Sequence, residues 1–246
     1  TENKRVHRLL DQLKSYLIVY DTFLYHTFIA SFCEDENLLS QWRGYSNEGG
    51  GYNIGMSISD ETKFIHDINN LDSDSYIVLR KVIYNLEDQK SLIGNFLFLL
   101  IARAETLDER IAKDIPEEKN NWSSHVALHA INILFDIMLT VKNPAFSEEK
   151  EWRMIKVMQK DAHPESVNFR PNQTNLYPYI NTYIFEKEDE KVFPLRSITY
   201  GPSHDRSLAR SAVELFLFNV SASKHQIQLK PHNVQIIDPG YILKNK

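Results

Sequence analysis

The spacing of apolar residues changes period twice along this chain, and that constrains its fold more than any other feature. Between residues 52 and 58 the side chains alternate, with Tyr52, Ile54, Met56 and Ile58 on one face and Asn53, Gly55 and Ser57 on the other. That is the period of a half-buried strand. From Leu86 to Ile115, and again from Trp122 to Val141, the spacing becomes three and four, with few breakers. Pro116 and the charged run Glu117-Glu118-Lys119 separate these two helices. After Asn143-Pro144 the strand signal returns at Glu151–Val157, Val167–Phe169, Ile180–Phe185 and Leu195–Tyr200. Gly201-Pro202-Ser203 stops the last of these, Leu208–Asn219 reads as a helix, and Gln226–Leu229 and Val234–Ile237 read as short closing strands. Before the first change of period, Val6, Leu9, Leu10, Leu13 and Leu17 mark an amphipathic helix, Phe28–Cys33 a strand, and residues 76–84 a further strand with an irregularity. Strands, helices and strands again predict an α+β fold: a largely antiparallel twisted sheet, an inserted helical hairpin at about residues 85–143 and a C-terminal helix. The expected organisation is a single domain over residues 1–246.

Composition narrows the function classes. Of 246 residues, 42% are hydrophobic and 25% charged, as in a globular chain with a core. The net charge of −5 disfavours sequence-blind attraction to nucleic acid or anionic lipid. Cys33 is the single cysteine, which excludes an internal disulfide framework and a cysteine-cluster metal site. The apolar run Phe96–Ile101 is too short for a membrane span, and no apolar core follows the first residues. A cytoplasmic protein is expected. The chain begins with Thr1 rather than Met, so it reads as trimmed or incomplete at its front.

Several patterns are candidates for chemistry. On a strand, Glu149, Glu151 and Arg153 would share one face, with Trp152 and Met154 on the other. Two carboxylates and a guanidinium in a row can orient a ribose hydroxyl or stabilise a developing cation. The same residues also suit a solvated strand edge with an ion pair of about 0–1 kcal/mol. Trp42 and Tyr45, three residues apart near Gly49-Gly50-Gly51, could sandwich a planar ring while Arg43 meets a phosphate; the alternative is an aromatic corner packed in the core. Cys33 has no obvious base beside it and reads as a structural thiol. His125 and His129 have the i, i+4 spacing of a metal clip, but no third ligand is evident, and no metal site is expected. Ser203 or Asp205 would cap the last helix, whose free N–H groups could otherwise take an anion.

Taken together, these residues resemble the uncharacterised bacterial domain family DUF2971. The stretches that carry the resemblance are Ser31-Phe32-Cys33 with Asp35 to Tyr45, Gly50 to Met56, Glu149 to Ile155, Val167 to Arg170, Pro178-Tyr179 and Ile198 to Pro202. Cys33 stands where the family's serine motif has a serine, and the front end usual in the family, with a His-Tyr-Thr strand, is absent. The family's motif order is in turn similar to that of ADP-ribosyltransferases. That similarity implies NAD as co-substrate, with Glu151 on the nicotinamide-ribose hydroxyl and Glu149 orienting or deprotonating the acceptor. Ser31 would brace the ribose or the glutamate. Trp42 or Tyr45 would stack on nicotinamide, and Arg43 or Arg153 would meet the pyrophosphate. The chain would be a transferase, such as a toxin or phage-defence effector, with a protein or nucleic-acid acceptor and an antitoxin or other partner. A nucleotide-type small molecule is the expected ligand, and two alternatives stand beside the transferase: a metal-dependent nucleotide- or nucleic-acid-processing enzyme using Glu149 and Glu151, and a catalytically inactive binding or interaction module that keeps only the polar groove.

Overall fold

The computed structural model describes residues 7, 10–16, 25–46, 50–65, 77–114, 122–159, 167–171, 174–186, 191–202, 205–222, 230 and 233–240. In chain order the elements are helix α1 (10–16), β1 (Tyr25–Cys33), α2 (Leu39–Tyr45), β2 (Tyr52–Met56), β3 (Lys63–Ile65), β4 (Ile77–Lys81), α3 (Leu86–Asp114) and α4 (Trp122–Thr140). A 3-10 helix (Pro144–Glu149) follows, then β5 (Glu151–Gln159), β6 (Asn168–Pro171), β7 (Leu176–Tyr179), β8 (Tyr183–Phe185), β9 (Leu195–Tyr200), α5 (Arg206–Ala222) and β10 (Gln235–Ile237). This is the α+β class that the changes of period imply: β2–β9, β3–β8 and β6–β7 pair antiparallel, and β9–β10 parallel. The strands are distributed over several small sheets rather than one. The strand expected over Ile180–Phe185 starts only at Tyr183, because the preceding run Leu176–Tyr179 pairs separately with β6. The strand expected at Gln226–Leu229 lies outside the described residues.

The chain divides into two compact units. The first comprises Thr1–Ser31 and Leu79–Glu165, the second Phe32–Val78 and Ser166–Lys246.

In the first unit, β5 runs between β1 and β4. The helical pair supplies the core. Leu92, Phe96 and Leu100 recur every four residues on α3, and Ala130, Ile131, Leu134 and Ile137 form the facing stripe on α4. Ile131 is fully buried, and burying a side chain of this size stabilises by about 1.5–3 kcal/mol. Asn85 starts α3: its Oδ1 accepts from the backbone N–H groups of Glu87 (2.8 Å) and Asp88 (3.1 Å), a cap that typically contributes about 1 kcal/mol. The two acidic residues of that first turn favour the positive end of the helix.

In the second unit, β9 is the central strand of a three-stranded sheet, parallel to β10 and antiparallel to β2. Helix α5 covers one face, with Val213 and Leu217 packed on Ile198. Asp205 caps α5 by accepting from the Leu208 N–H at 2.9 Å, so a side-chain carboxylate already occupies the end where an anion was considered; Ser203 lies outside the described residues. The alternation in β2 is present, but its apolar side is the open one: Tyr52 and Ile54 are 54% and 58% exposed. The reason is position. Ile54 pairs with Ile198 and shares its face, but β2 is the outer strand, beyond the residues that α5 covers. On the opposite face a Cβ added at Gly55 would lie 2.1 Å from Ser197 Oγ, so this position needs glycine for close approach of the strands.

Candidate functional site

The first unit gathers four of the residues singled out in the sequence. Glu151, 5% exposed, opens β5, and its carboxylate is surrounded by donors. Ser31 Oγ on the neighbouring strand β1 donates to Oε1 at 2.7 Å across 120 residues of sequence. Arg153 Nε donates to the same oxygen at 2.9 Å, and its Nη2 reaches Oε2 at 3.3 Å. Lys142 Nζ donates to Oε2 at 2.9 Å and also bonds Glu149. The backbone of Glu151 is fixed as well: its N–H donates to Tyr84 Oη at 3.0 Å, and its carbonyl accepts from the Val82 N–H at 2.9 Å.

Lys142 is delivered to this cluster by tertiary pairing. After α4 the chain forms an isolated parallel bridge between Ile83 and Val141, with Ile83 N–H donating to Thr140 O and Lys142 N–H to Ile83 O. Gln89 Nε2 ties the same point together by donating to the carbonyls of Ile83 and Lys142 at 2.7 and 2.8 Å. Arg153 is steadied from its other end, Nη1 donating to Leu139 O at 2.6 Å.

Glu149 departs from the expected strand face. It ends the 3-10 helix, and Lys150 follows in the left-handed region at φ 43° before β5 begins. That single left-handed residue breaks the alternation, so Glu149 and Glu151 do not share a strand face. They nevertheless converge on one ammonium. A non-glycine residue held in this region stores about 1 kcal/mol or more of strain, which the surrounding bonds must hold in place.

The electrostatic outcome follows from these contacts. Burial alone would push the Glu151 carboxyl up, but the bonds from Arg153, Ser31 and Lys142 outweigh it and bring its pKa from 4.5 down to about 2. Burial would pull the Lys142 ammonium down, yet its bonds to Glu149 and Glu151 prevail and raise it above its usual value. Glu151 is therefore an ionised carboxylate at neutral pH, with both oxygens engaged. Two carboxylates and two cations balance, and a closed set of this kind holds a sheet end rigidly. A carboxylate so placed can stabilise a nearby positive charge but is too acidic to shuttle protons near neutrality.

The second unit contains a cavity of about 470 Å³, within the usual range for small-molecule sites. Trp42, Tyr45 and Gln41 from α2 line it together with Glu36, Gly51 and Asn53. Trp42 is 5% exposed, and its Nε1 donates to Asn37 Oδ1 at 3.0 Å, while Asn37 Nδ2 donates to Pro239 O at 2.8 Å. Trp42 is thus a fixed wall. Tyr45, 78% exposed, is the open rim. Gly51 adopts φ 86°, available to glycine at little cost, and its carbonyl accepts from the Gly201 N–H at 2.9 Å. Glu36 Oε2 accepts from Ser197 Oγ at 3.2 Å.

Arg43 does not join this cavity; it is exposed on α2 and is not among the lining residues. Helical geometry turns it away from Trp42, its immediate neighbour. The phosphate-binding role considered for it thus has no support from the described lining residues, among which there is no lysine or arginine. Cys33, by contrast, does line the cavity, its Sγ donating to Asp35 O at 3.0 Å. The side chains of His125 and His129 lie outside the described residues. Among the described residues, no group of three or more His, Cys, Asp or Glu side chains is placed to hold a metal ion.

Sequence reasoning missed Lys142, Tyr84 and Gln89 around Glu151, and Glu36 and Asn37 beside Trp42. For Lys142 a faint signal existed, as a cation immediately beyond the end of an apolar helix. The others carried none.

Residues 41–154 match the family model "Protein of unknown function (DUF2971)". The match to DUF2971 spans Gln41–Tyr45, the Gly50–Met56 strand, the helical pair and Glu149–Met154, and over this stretch the family resemblance holds. Ser31 and the later Ile198–Pro202 segment lie outside the DUF2971 match. No curated protein and no solved structure matches the chain. No helix among the described residues is long and apolar enough to cross a membrane.

Proposed function

We propose that this protein is a binding module that takes the ring end of a nucleoside-type small molecule in the cavity beside Trp42. The observation that carries this reading is the cavity itself. It combines a fixed indole wall, an exposed tyrosine at the rim, polar groups from Gln41 and Asn53, and a glycine that leaves the backbone bare. The residues fit a heterocycle better than a pyrophosphate, because no described residue of the lining would neutralise phosphate charge. Of an NAD-type ligand, this cavity would accept the adenine or nicotinamide end. Calorimetric titration with adenosine, nicotinamide, ADP-ribose and NAD tests the reading, paired with thermal denaturation. A ligand at a hundred times its dissociation constant should stabilise the protein by about 2.7 kcal/mol, and no response to any of the four would sink it.

A second reading is an NAD-dependent ADP-ribosyltransferase, of the kind used as a toxin or phage-defence effector, and the Ser31–Glu151 hydrogen bond favours it. A carboxylate braced by a serine and kept ionised suits stabilisation of an oxocarbenium-like state. A ribose hydroxyl could bond Glu151 only after one of its present donors gave way. This reading expects release of nicotinamide from NAD, abolished in Glu151→Gln at a temperature where both proteins are folded. Equal turnover by the two proteins would exclude Glu151 from the chemistry.

A further inference from the structure

We infer that the cavity of the second unit selects an organic cation, a positively charged ring or a quaternary ammonium, over its neutral or anionic counterpart. This rests on the reading that the cavity holds a ligand. Among the described residues, Glu36 is the only charged group in the lining. Its one bond given by the structure comes from the neutral Ser197 hydroxyl, and among the described residues no cation is paired with it. Ser197 is 2% exposed and sits opposite Gly55, so it anchors the carboxylate from the sheet side. The remaining wall includes Trp42 and Tyr45, whose π systems attract cations, and the nearest cationic candidate in the sequence, Arg43, stays out of the lining. An exposed carboxylate with no counter-ion among the described residues, at the rim of a hollow walled by aromatic side chains, favours a positive guest by charge and by cation–π attraction together. The same carboxylate repels a phosphate.

The test uses the full chain and a matched pair of probes, 1-methylnicotinamide (a cation) and nicotinamide (its neutral analogue), with choline as an aliphatic cation and AMP as an anion. Affinity is measured by calorimetry. Location is read from protection of Cys33, the only cysteine in the chain and a lining residue, against alkylation. The cations should bind at least roughly tenfold more tightly than nicotinamide, protect Cys33, and lose affinity as salt rises. Glu36→Gln, which keeps an oxygen for Ser197, should remove that preference, bringing the cation and nicotinamide to within about twofold of one another. If nicotinamide protects Cys33 as well as its cation does, or if Glu36→Gln keeps the preference, the inference falls and the cavity remains a ligand site. If no probe protects Cys33, the inference and the reading beneath it both fall.

Discussion

Replacing Glu151 by Gln removes the buried negative charge from a partly buried set of two carboxylates and two cations while keeping the side chain's shape. The cost can be worked from the proton. Carrying a carboxyl from 4.5 to about 2 corresponds to about 3 kcal/mol of preferential stabilisation of its ionised form in the folded chain. The side chain is 6% exposed, so solvent screening takes little from that figure. Gln also turns an amide N–H group toward Lys142 or Arg153, leaving two donors facing each other. Glu151→Gln should therefore lose about 3 kcal/mol at pH 7, equivalent to roughly 6–12 °C in Tm for a chain of this size. The sign with pH is fixed: a depressed carboxylate stabilises above its unfolded value and loses that contribution as pH falls through the folded one. Wild type and variant should hence converge as pH drops from about 4.5 toward 2. Urea denaturation followed by circular dichroism at pH 7, 5 and 3 measures this. A difference below about 1 kcal/mol at pH 7, or one that does not shrink at pH 3, would refute the reasoning.

Gly55→Ala should cost about 1–3 kcal/mol because the new methyl meets Ser197 Oγ, and the Gly55→Ala/Ser197→Ala double variant should recover part of that loss in the same denaturation assay. Lys156 is buried on β5, and burial lowers its ammonium pKa. The unfolded chain therefore holds this proton more tightly, and stability should rise with pH toward 10.5; Lys156→Met should raise Tm at pH 7 and flatten that rise in thermal denaturation, and an unchanged pH profile would refute it. Lys150→Gly should gain about 0.5–1 kcal/mol by relieving a left-handed backbone, and a loss instead would show that the lysine side chain matters more than its φ. Trp42→Phe should lose about 1 kcal/mol with the Asn37 bond and weaken any ring ligand of the cavity in titration, whereas Arg43→Ala should leave that binding unchanged.

The α+β class, the two long helices and most strands could be read from residue order alone, because period and capping are local consequences of backbone geometry. The stop of β9 before Gly201-Pro202 needs no tertiary information. The motif residues Ser31, Glu151 and Arg153 were also recognisable by type, and Trp42 and Tyr45 by spacing. Which of them meet was another matter. Glu149 lost its expected strand face to one left-handed lysine, a conformation that residue type disfavours and that only surrounding bonds maintain.

What the sequence by itself determined is the alternation of elements and the kinds of side chain each one carries, since both follow from steric limits within a few residues. What only the tertiary structure decided is the company each charge keeps. Lys142 reaches Glu151 because a bridge at Ile83 and Val141 holds it there, Glu36 lines a cavity with no counter-ion among the described residues, and Ser197 Oγ crowds position 55, where glycine stands. Those contacts join residues far apart in the chain, and their energies depend on burial and orientation, which no local period encodes.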